Sequence, residues 1–235
     1  MRNERLYPRW HHPRYYGLVN LRKALEKIVA EHPFENKVLV DYGCGSMPYR
    51  PLFEKKVARY IGADIEENKE ADIPIDTVNG RMSTPAEFVD VVLSTQVLEH
   101  VESPSLYLQE AHRICKPDGM LVLSTHGFWL YHPSPGDYWR WTASGLKKQL
   151  RDNGWQTECT TGIFGFAAAA LCLWQDAISL KLPPFFRTPF CVVMQQIINL
   201  VDHFYTPAGR AENATLYVVV ARKVQMPEEK AVRGG

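Results

Sequence analysis

In the stretch VLVDYGCGSMPYR, residues 38–50, an acid follows three apolar residues and glycines stand at 43 and 45. Asp41 would close a short buried strand, and Gly43 and Gly45 would let backbone approach a ligand closely. A second acid, Asp64, ends the next apolar run, RYIGADI. A carboxylate there can accept two hydrogen bonds from a vicinal diol, which makes Asp64 a candidate for gripping a ribose. The plainer reading is a tight turn with an incidental surface acid. The ordered succession of Asp41, Asp64 and a later strand-end motif weighs against it. Three histidines, His100, His126 and His132, fall at or just after strand ends, where ligands bind in open α/β sheets. Histidine is the usual base for an oxygen nucleophile near neutral pH, and His126, directly after LVLST, is the first candidate. A lone histidine is more often a hydrogen-bonded structural residue, and that reading stands beside the catalytic one. No histidine spacing with carboxylates points to a metal site.

The elements that would position these residues can be read from apolar patterning. Residues 18–30 place Leu18, Leu21, Leu25, Ile28 and Val29 at helical spacing. Lys37 to Val40, RYIGADI, FVDVVLSTQ and MLVLST read as short strands suited to a sheet covered on both faces. Between them, Ser103 caps a helix with Pro104 at its first position and Cys115 on its apolar face, and KPDG stops it. Thr142 caps a further helix, which Gly154 follows. WQTECTT and ATLYVVVARK are late strands. The alternation predicts an α/β fold: a doubly wound, mostly parallel seven-stranded Rossmann-like sheet, its last strand antiparallel and preceded by a helical insertion. The expected organisation is an N-terminal arm and helix over 1–36, a core over 37–161, a hydrophobic helical insertion over 162–212, the last core strand over 213–224 and a flexible tail over 225–235.

Two nucleotide-type ligands compete for the opening turn. A dinucleotide site wants G-x-G-x-x-G with pyrophosphate over a helix N-terminus, and Pro48 stands where its third glycine would fall. S-adenosylmethionine (SAM) has no phosphate, and its sulfonium and amino groups favour an acid beside the turn, which Asp41 supplies. The residues favour SAM.

Taken together, VLVDYGCGSMPYRPLF, YIGADI, VDVVLSTQVLEHV, LQEAHRICKPDGMLVLST and GDYWRWT resemble a bacterial class I SAM-dependent methyltransferase. The resemblance is to the type 11 methyltransferase family, in the branch carrying a DYWRF/WT segment, and covers residues 37–160. One departure is plain: Met47 replaces the third glycine of D/E-x-G-x-G-x-G. The resemblance implies that Asp41, Gly43, Cys44 and Gly45 line the methionine part of the cofactor. It implies that Asp64 binds the ribose, Ile65 stacks near the adenine and Asp76 meets the adenine amino group. Ser94, Thr95 and Gln96 would close the pocket; Glu99 and His100 follow on the next turn, where the plainer reading is helix-start chemistry and support, beside the catalytic candidacy of His100. Methyltransferases of this branch resemble those near bacterial surface-glycan genes. The implied acceptor is therefore a sugar hydroxyl on a glycan or lipid-linked intermediate, with a small molecule as the close alternative.

Within HPSPGDYWRWT, Asp137, Tyr138, Trp139 and Arg140 are the candidate substrate residues. The aromatics could stack on a sugar ring, and Arg140 could meet an anionic group or pair with Asp137. The alternative has Tyr138 and Trp139 plugging the core. PRWHHPRYYG near the start reads as a lid or a packed arm. The insertion carries GIFGFAAAALCLW and FCVVMQQIINLV, both too short to span a bilayer. They fit a helical cap, a homodimer interface through 162–205, or peripheral contact with a membrane.

A formal net charge of +1 and the lack of a basic stripe argue against nucleic acid. Five scattered cysteines without a CxxC pair fit a reducing compartment. No apolar signal segment opens the chain, so the expected location is cytoplasmic, with the inner face of a membrane as a peripheral alternative. Two other functions stay open: a SAM-binding partner protein without catalysis, and a nicotinamide-dependent oxidoreductase, which the glycine pattern disfavours.

Overall fold

The computed structural model describes residues 3–76, 80–133 and 136–225. The tail expected over 225–235 lies outside the described residues beyond Gln225. Seven strands form one sheet: β1 (Val38–Tyr42), β2 (Arg59–Ile65), β3 (Ile73–Ile75), β4 (Val89–Thr95), β5 (Cys115–His126), β6 (Trp155–Ile163) and β7 (Leu216–Lys223). Their order is β3-β2-β1-β4-β5-β7-β6. The first five run parallel, and β7 is antiparallel to both β5 and β6. This is the doubly wound sheet with an antiparallel last strand that the patterning implied.

Helices α1 (Tyr15–Glu31), α2 (Arg50–Phe53), α5 (Phe166–Ser179) and α6 (Pro184–His203) cover one face of the sheet. Helices α3 (Pro104–Ile114) and α4 (Ala143–Arg151) cover the other. A short α7 (Pro207–Glu212) precedes the last strand. Along β1 and β4 alternate side chains enter the two cores: Leu39, Val91 and Leu93 on one side, Val40 and Val92 on the other. Full burial of each such side chain contributes about 1.5–3 kcal/mol. The caps are as expected: Ser103 accepts from the Leu106 amide and Thr142 from the Gly145 amide.

Three local expectations change. Strand β1 begins at Val38 and runs through Asp41 to Tyr42, because both residues still pair with β2. KPDG does not stop α3; the helix ends before it, and Cys115 already pairs with Val89 as the first residue of β5. Pro117 biases Lys116 toward extended backbone, and Asp118 at φ 58° carries the irregularity that shifts the β4–β5 register. Strand β3 was not foreseen, since three residues with a central proline carry no alternation.

The order reverses between β1 and β4, so the crevice at the topological switch opens beyond their carboxyl ends. Beneath it the Tyr42 and Tyr107 rings stack at 4.1 Å. The Tyr107 hydroxyl reaches the Tyr42 carbonyl at 2.8 Å and the Ser94 hydroxyl at 2.9 Å. That chain ties α3, β1 and β4 together as a floor for the site.

Candidate active site

Asp41 lies in β1, one residue before its end, and its side chain is buried. The Tyr60 hydroxyl donates to Oδ2, whereas Oδ1 has no partner. Burial pushes the carboxyl pKa up to about 7 against the Tyr60 hydrogen bond, with nearby Asp64 adding to the rise. After it the chain turns: the Gly43 and Cys44 amides both donate to the Ala63 carbonyl, at 2.8 and 3.0 Å. The two glycines differ. Gly43, at φ 77°, is held so close to Val97 that a Cβ would lie 2.6 Å from a methyl. Gly45, at φ 52°, faces open space. Met47 also adopts positive φ, 48°, the left-handed region that favours glycine. Its sulfur, with that of Cys44, packs over Gly62, where a Cβ would come within 3.0 Å of each.

Asp64 stands at the end of β2, oriented by the Gly45 amide at 2.7 Å, the Ile65 amide at 2.8 Å and Asn68 Nδ2 at 2.9 Å. Ile65 is the last residue of β2, and Asp76 follows β3 directly with its side chain exposed. The crevice thus brings Asp41, Gly45, Asp64, Ile65 and Asp76 to one edge. Two candidates point elsewhere: the Cys44 thiol is buried under the turn, and the Ser94 hydroxyl is engaged by Tyr107. Thr95 is buried at the end of β4, and Gln96, at φ 58°, donates its amide and Nε2 to Ser124.

On the other side of the switch the three histidines gather. The His132 ring lies 5.0 Å from that of His100 and 4.8 Å from that of His126. His126 stacks on Trp129 at 4.7 Å, and Arg14 from the N-terminal arm lies over the same indole at 4.5 Å. The group sequence reasoning left in a supporting role is central here. Glu99, fully buried, puts Oε1 3.0 Å from His126 Nδ1 and 4.0 Å from His100 Nε2, and Oε2 accepts from Thr125 at 2.8 Å. Neither Glu99 Oε1 nor His126 Nδ1 is in hydrogen-bond alignment with a partner. Burial pushes the Glu99 carboxyl up to about 7 and holds the His126 imidazole far below its ordinary value, so the ring is neutral. The two residues lie on different elements, Glu99 after β4 and His126 at the end of β5, which is why spacing alone did not reveal the pair.

The DYWRWT segment crosses over this cluster: Tyr138 and Trp139 amides donate to the Glu99 carbonyl, and Trp141 donates to that of His126. Of the two readings for Arg140, internal pairing is the observed one. Its guanidinium meets Asp137 through two bonds, 2.7 and 2.6 Å, and donates to the Trp129, Leu130 and Trp139 carbonyls. All five donors are thereby used, and the Arg140 contact holds the Asp137 carboxyl well below the usual carboxylate range. Tyr138 and Trp139 are exposed rather than plugged into the core; Trp141 is the residue of this segment that packs there. Arg140→Lys keeps the charge but loses the fork. It should cost about 1–3 kcal/mol in urea unfolding, and an unchanged midpoint would remove the clasp from the account.

A profile of the methyltransferase domain matches residues 5–177. The chain belongs to the class I SAM-dependent methyltransferases. SAM is its cofactor. A ubiquinone biosynthesis O-methyltransferase of Ruegeria pomeroyi is 32% identical over 107 residues, covering 40% of this chain and 43% of that protein. The chain spans less than half the length of the ubiquinone enzymes it matches first. Among solved structures, a SAM-dependent methyltransferase from Mesorhizobium loti superposes with a TM-score of 0.55 at 15% identity, over 86% of this chain and 97% of that one. A phosphoethanolamine N-methyltransferase of Haemonchus contortus, bound to S-adenosylhomocysteine, gives 0.56 at 14% identity, over 88% and 53%. These structural likenesses establish the fold.

The residues of this methyltransferase fit its cofactor. Asp41 offers a buried acceptor without a donor, Gly45 opens onto space, and Asp64 presents a carboxylate already aimed by two amides. Tyr60 and Asn68 are additions to the sequence reading, each reaching one of the two acids. Among the described residues no cluster could hold a metal ion, and no helix is long and apolar enough to cross a membrane.

Proposed function

We propose that this chain transfers a methyl group to the oxygen of a hydroxyl-bearing acceptor, with His126 as general base and Glu99 as its positioning residue. The observation that carries this is the buried Glu99–His126 pair, 3.0 Å apart at the carboxyl edge of the sheet, the same edge at which Asp41 Oδ1 is left without a donor. When bound, SAM supplies an electrophilic methyl group on its sulfonium. Asp41 Oδ1 would receive the cofactor's ammonium, Asp64 its ribose hydroxyls and Asp76 its adenine edge. On transfer of that methyl group to the acceptor oxygen, the neutral imidazole of His126 would take the hydroxyl proton. The carboxylate of Glu99 stabilises the resulting imidazolium through Nδ1. Much of the rate comes from positioning, and the Arg140–Asp137 clasp holds the loop that closes over the cluster.

An oxygen acceptor agrees with the Ruegeria relative, which is named as an O-methyltransferase. Exposed Phe128, Tyr131, Tyr138 and Trp139 around the cluster offer flat apolar surfaces. They support a sugar hydroxyl, on a glycan, lipid-linked intermediate or small molecule, as the acceptor.

The test is methyl transfer from SAM carrying a labelled methyl group to a panel of sugars, nucleotide sugars and phenols. Methyl ethers are expected, and label appearing on nitrogen or sulfur instead would overturn the oxygen assignment. Calorimetry with SAM and with NADH runs alongside. Binding of SAM without turnover of any acceptor would favour a non-catalytic partner protein. NADH binding in its place would favour the oxidoreductase.

A further inference from the structure

Helix α6 is apolar on the wrong side. Its inward face carries Cys191, Met194, Gln195, Ile198 and Asp202, three of them polar or weakly polar. Gln195 there accepts from the Tyr16 amide and donates to Gln175, and Asp202 is held by Arg210 at 2.8 Å and by the Gly165 amide. The outward face carries Phe186, Phe190, Val193, Ile197 and Leu200, and the C-cap residue Phe204 continues it. All but the half-buried Phe190 are exposed; Leu200 is at 60% and Phe204 at 79%. Their spacing is 4-3-4-3-4, the 3.5-residue repeat that keeps one seam facing a partner helix. Trp174 on α5, 5.9 Å from the Phe190 ring, and Leu180 and Phe185 at the α5–α6 corner are also exposed and extend the patch.

These exposed groups present on the order of 1,000 Å² of apolar surface, more than the ~300–600 Å² patch of an ordinary monomer. It is about what one partner contributes to a standard interface, ~800 Å². Charge decides between occupants. From Pro184 to Phe204 the only charged residues are Arg187 and Asp202. Asp202 is turned inward, and Arg187 Nε is bonded to the Ser179 carbonyl. Arg187, Gln196, Asn199 and His203, which stand exposed beside the stripe, bring no row of cations toward anionic headgroups, as an interfacial helix requires. A seam without charge can meet its own copy with no like charges opposed, which is the condition for an isologous two-fold contact.

We infer that the outward stripe of α6 pairs with the same stripe of a second copy of this chain, with Ile197 near the two-fold axis. None of the stripe's residues is among those placed in the methyl-transfer site, so the inference stands independently of the proposed reaction. Sedimentation equilibrium of the full chain at low micromolar concentration should give about twice the 26.9 kDa of one chain. Ile197→Glu should weaken association by about 100-fold or more and run as a monomer, with unchanged circular dichroism and unchanged SAM binding. Ile197→Lys should behave the same alone, and an equimolar mixture of the two variants should return to the dimer mass.

A wild-type monomer, or a dimer indifferent to Ile197→Glu, overturns the inference. A mixture that stays monomeric overturns the two-fold register. Vesicles of anionic and zwitterionic phospholipid provide the remaining arm: co-sedimentation of wild type that Ile197→Glu abolishes would assign the face to lipid and overturn self-pairing.

Discussion

Asp41→Asn is expected to weaken SAM binding by about 10–100-fold, the loss of one buried charge-assisted contact, and at the same time to make the unliganded protein more stable in alkali. The two effects share a cause. Wild-type Asp41 is buried with one oxygen bonded to Tyr60 and the other without a donor. Burial raises its carboxyl pKa from 3.8 to about 7. A carboxyl raised in the folded state contributes stability that is full below its unfolded value and is lost as pH climbs through the folded one. Between about pH 5 and about pH 8.5 wild type therefore loses about 3 kcal/mol that the asparagine variant does not. The melting temperature of the variant minus that of wild type should rise by roughly 5–10 °C across that interval. A pH-independent difference would mean the carboxyl is not titrating in a buried site. Unaltered SAM affinity would remove Asp41 from the cofactor site whatever the melting curves do. The sign is informative: a residue kept at a cost to the empty protein makes sense where a cation is to be received.

Much of this site was legible in the sequence because its cofactor half is local. Asp41, Gly43, Gly45 and Asp64 lie at strand ends, and strand ends announce themselves by apolar runs giving way to polar or glycine residues. What stayed hidden depends on pairing between distant segments. Tyr60 reaches Asp41 only because β2 lies beside β1 in a particular register, Leu39 opposite Tyr60. The use of Ser94 by Tyr107 requires α3 to pack against β4. The difference between Gly43, crowded by Val97, and Gly45, open, cannot be read from a motif that writes both as G. The segment that forms α6 was visible only as part of a hydrophobic helical insertion. Which half of it faced inward was decided by Asp202, Gln195 and their partners on α1, α5 and α7, a polar network that pattern alone reads as the outer face.

His126→Ala is expected to lower kcat by about 10²–10⁴-fold, the usual contribution of a general base, while SAM still binds with wild-type affinity, because the ring stands on the acceptor side of the switch. Glu99→Gln should lower kcat less, by about 10–100-fold, and should change its pH dependence. In wild type Glu99 is protonated below about 7 and cannot stabilise a proton on His126. The rate should therefore rise with pH through about 7 and level off above it. The amide of the glutamine variant keeps an acceptor for Thr125 but has no ionisation, so its profile should be flat through that region. A structural loss would scale the whole profile down without altering its shape, which separates positioning from packing. Trp129 stacks on His126 at 4.7 Å and provides a fluorescence reference for an intact cluster in Glu99→Gln. If Glu99→Gln retains the wild-type rise through about 7, the titrating group is another, and the closeness of Glu99 to His126 is a packing contact. If both variants turn over normally, catalysis proceeds by positioning alone, and the buried pair takes no proton from the acceptor.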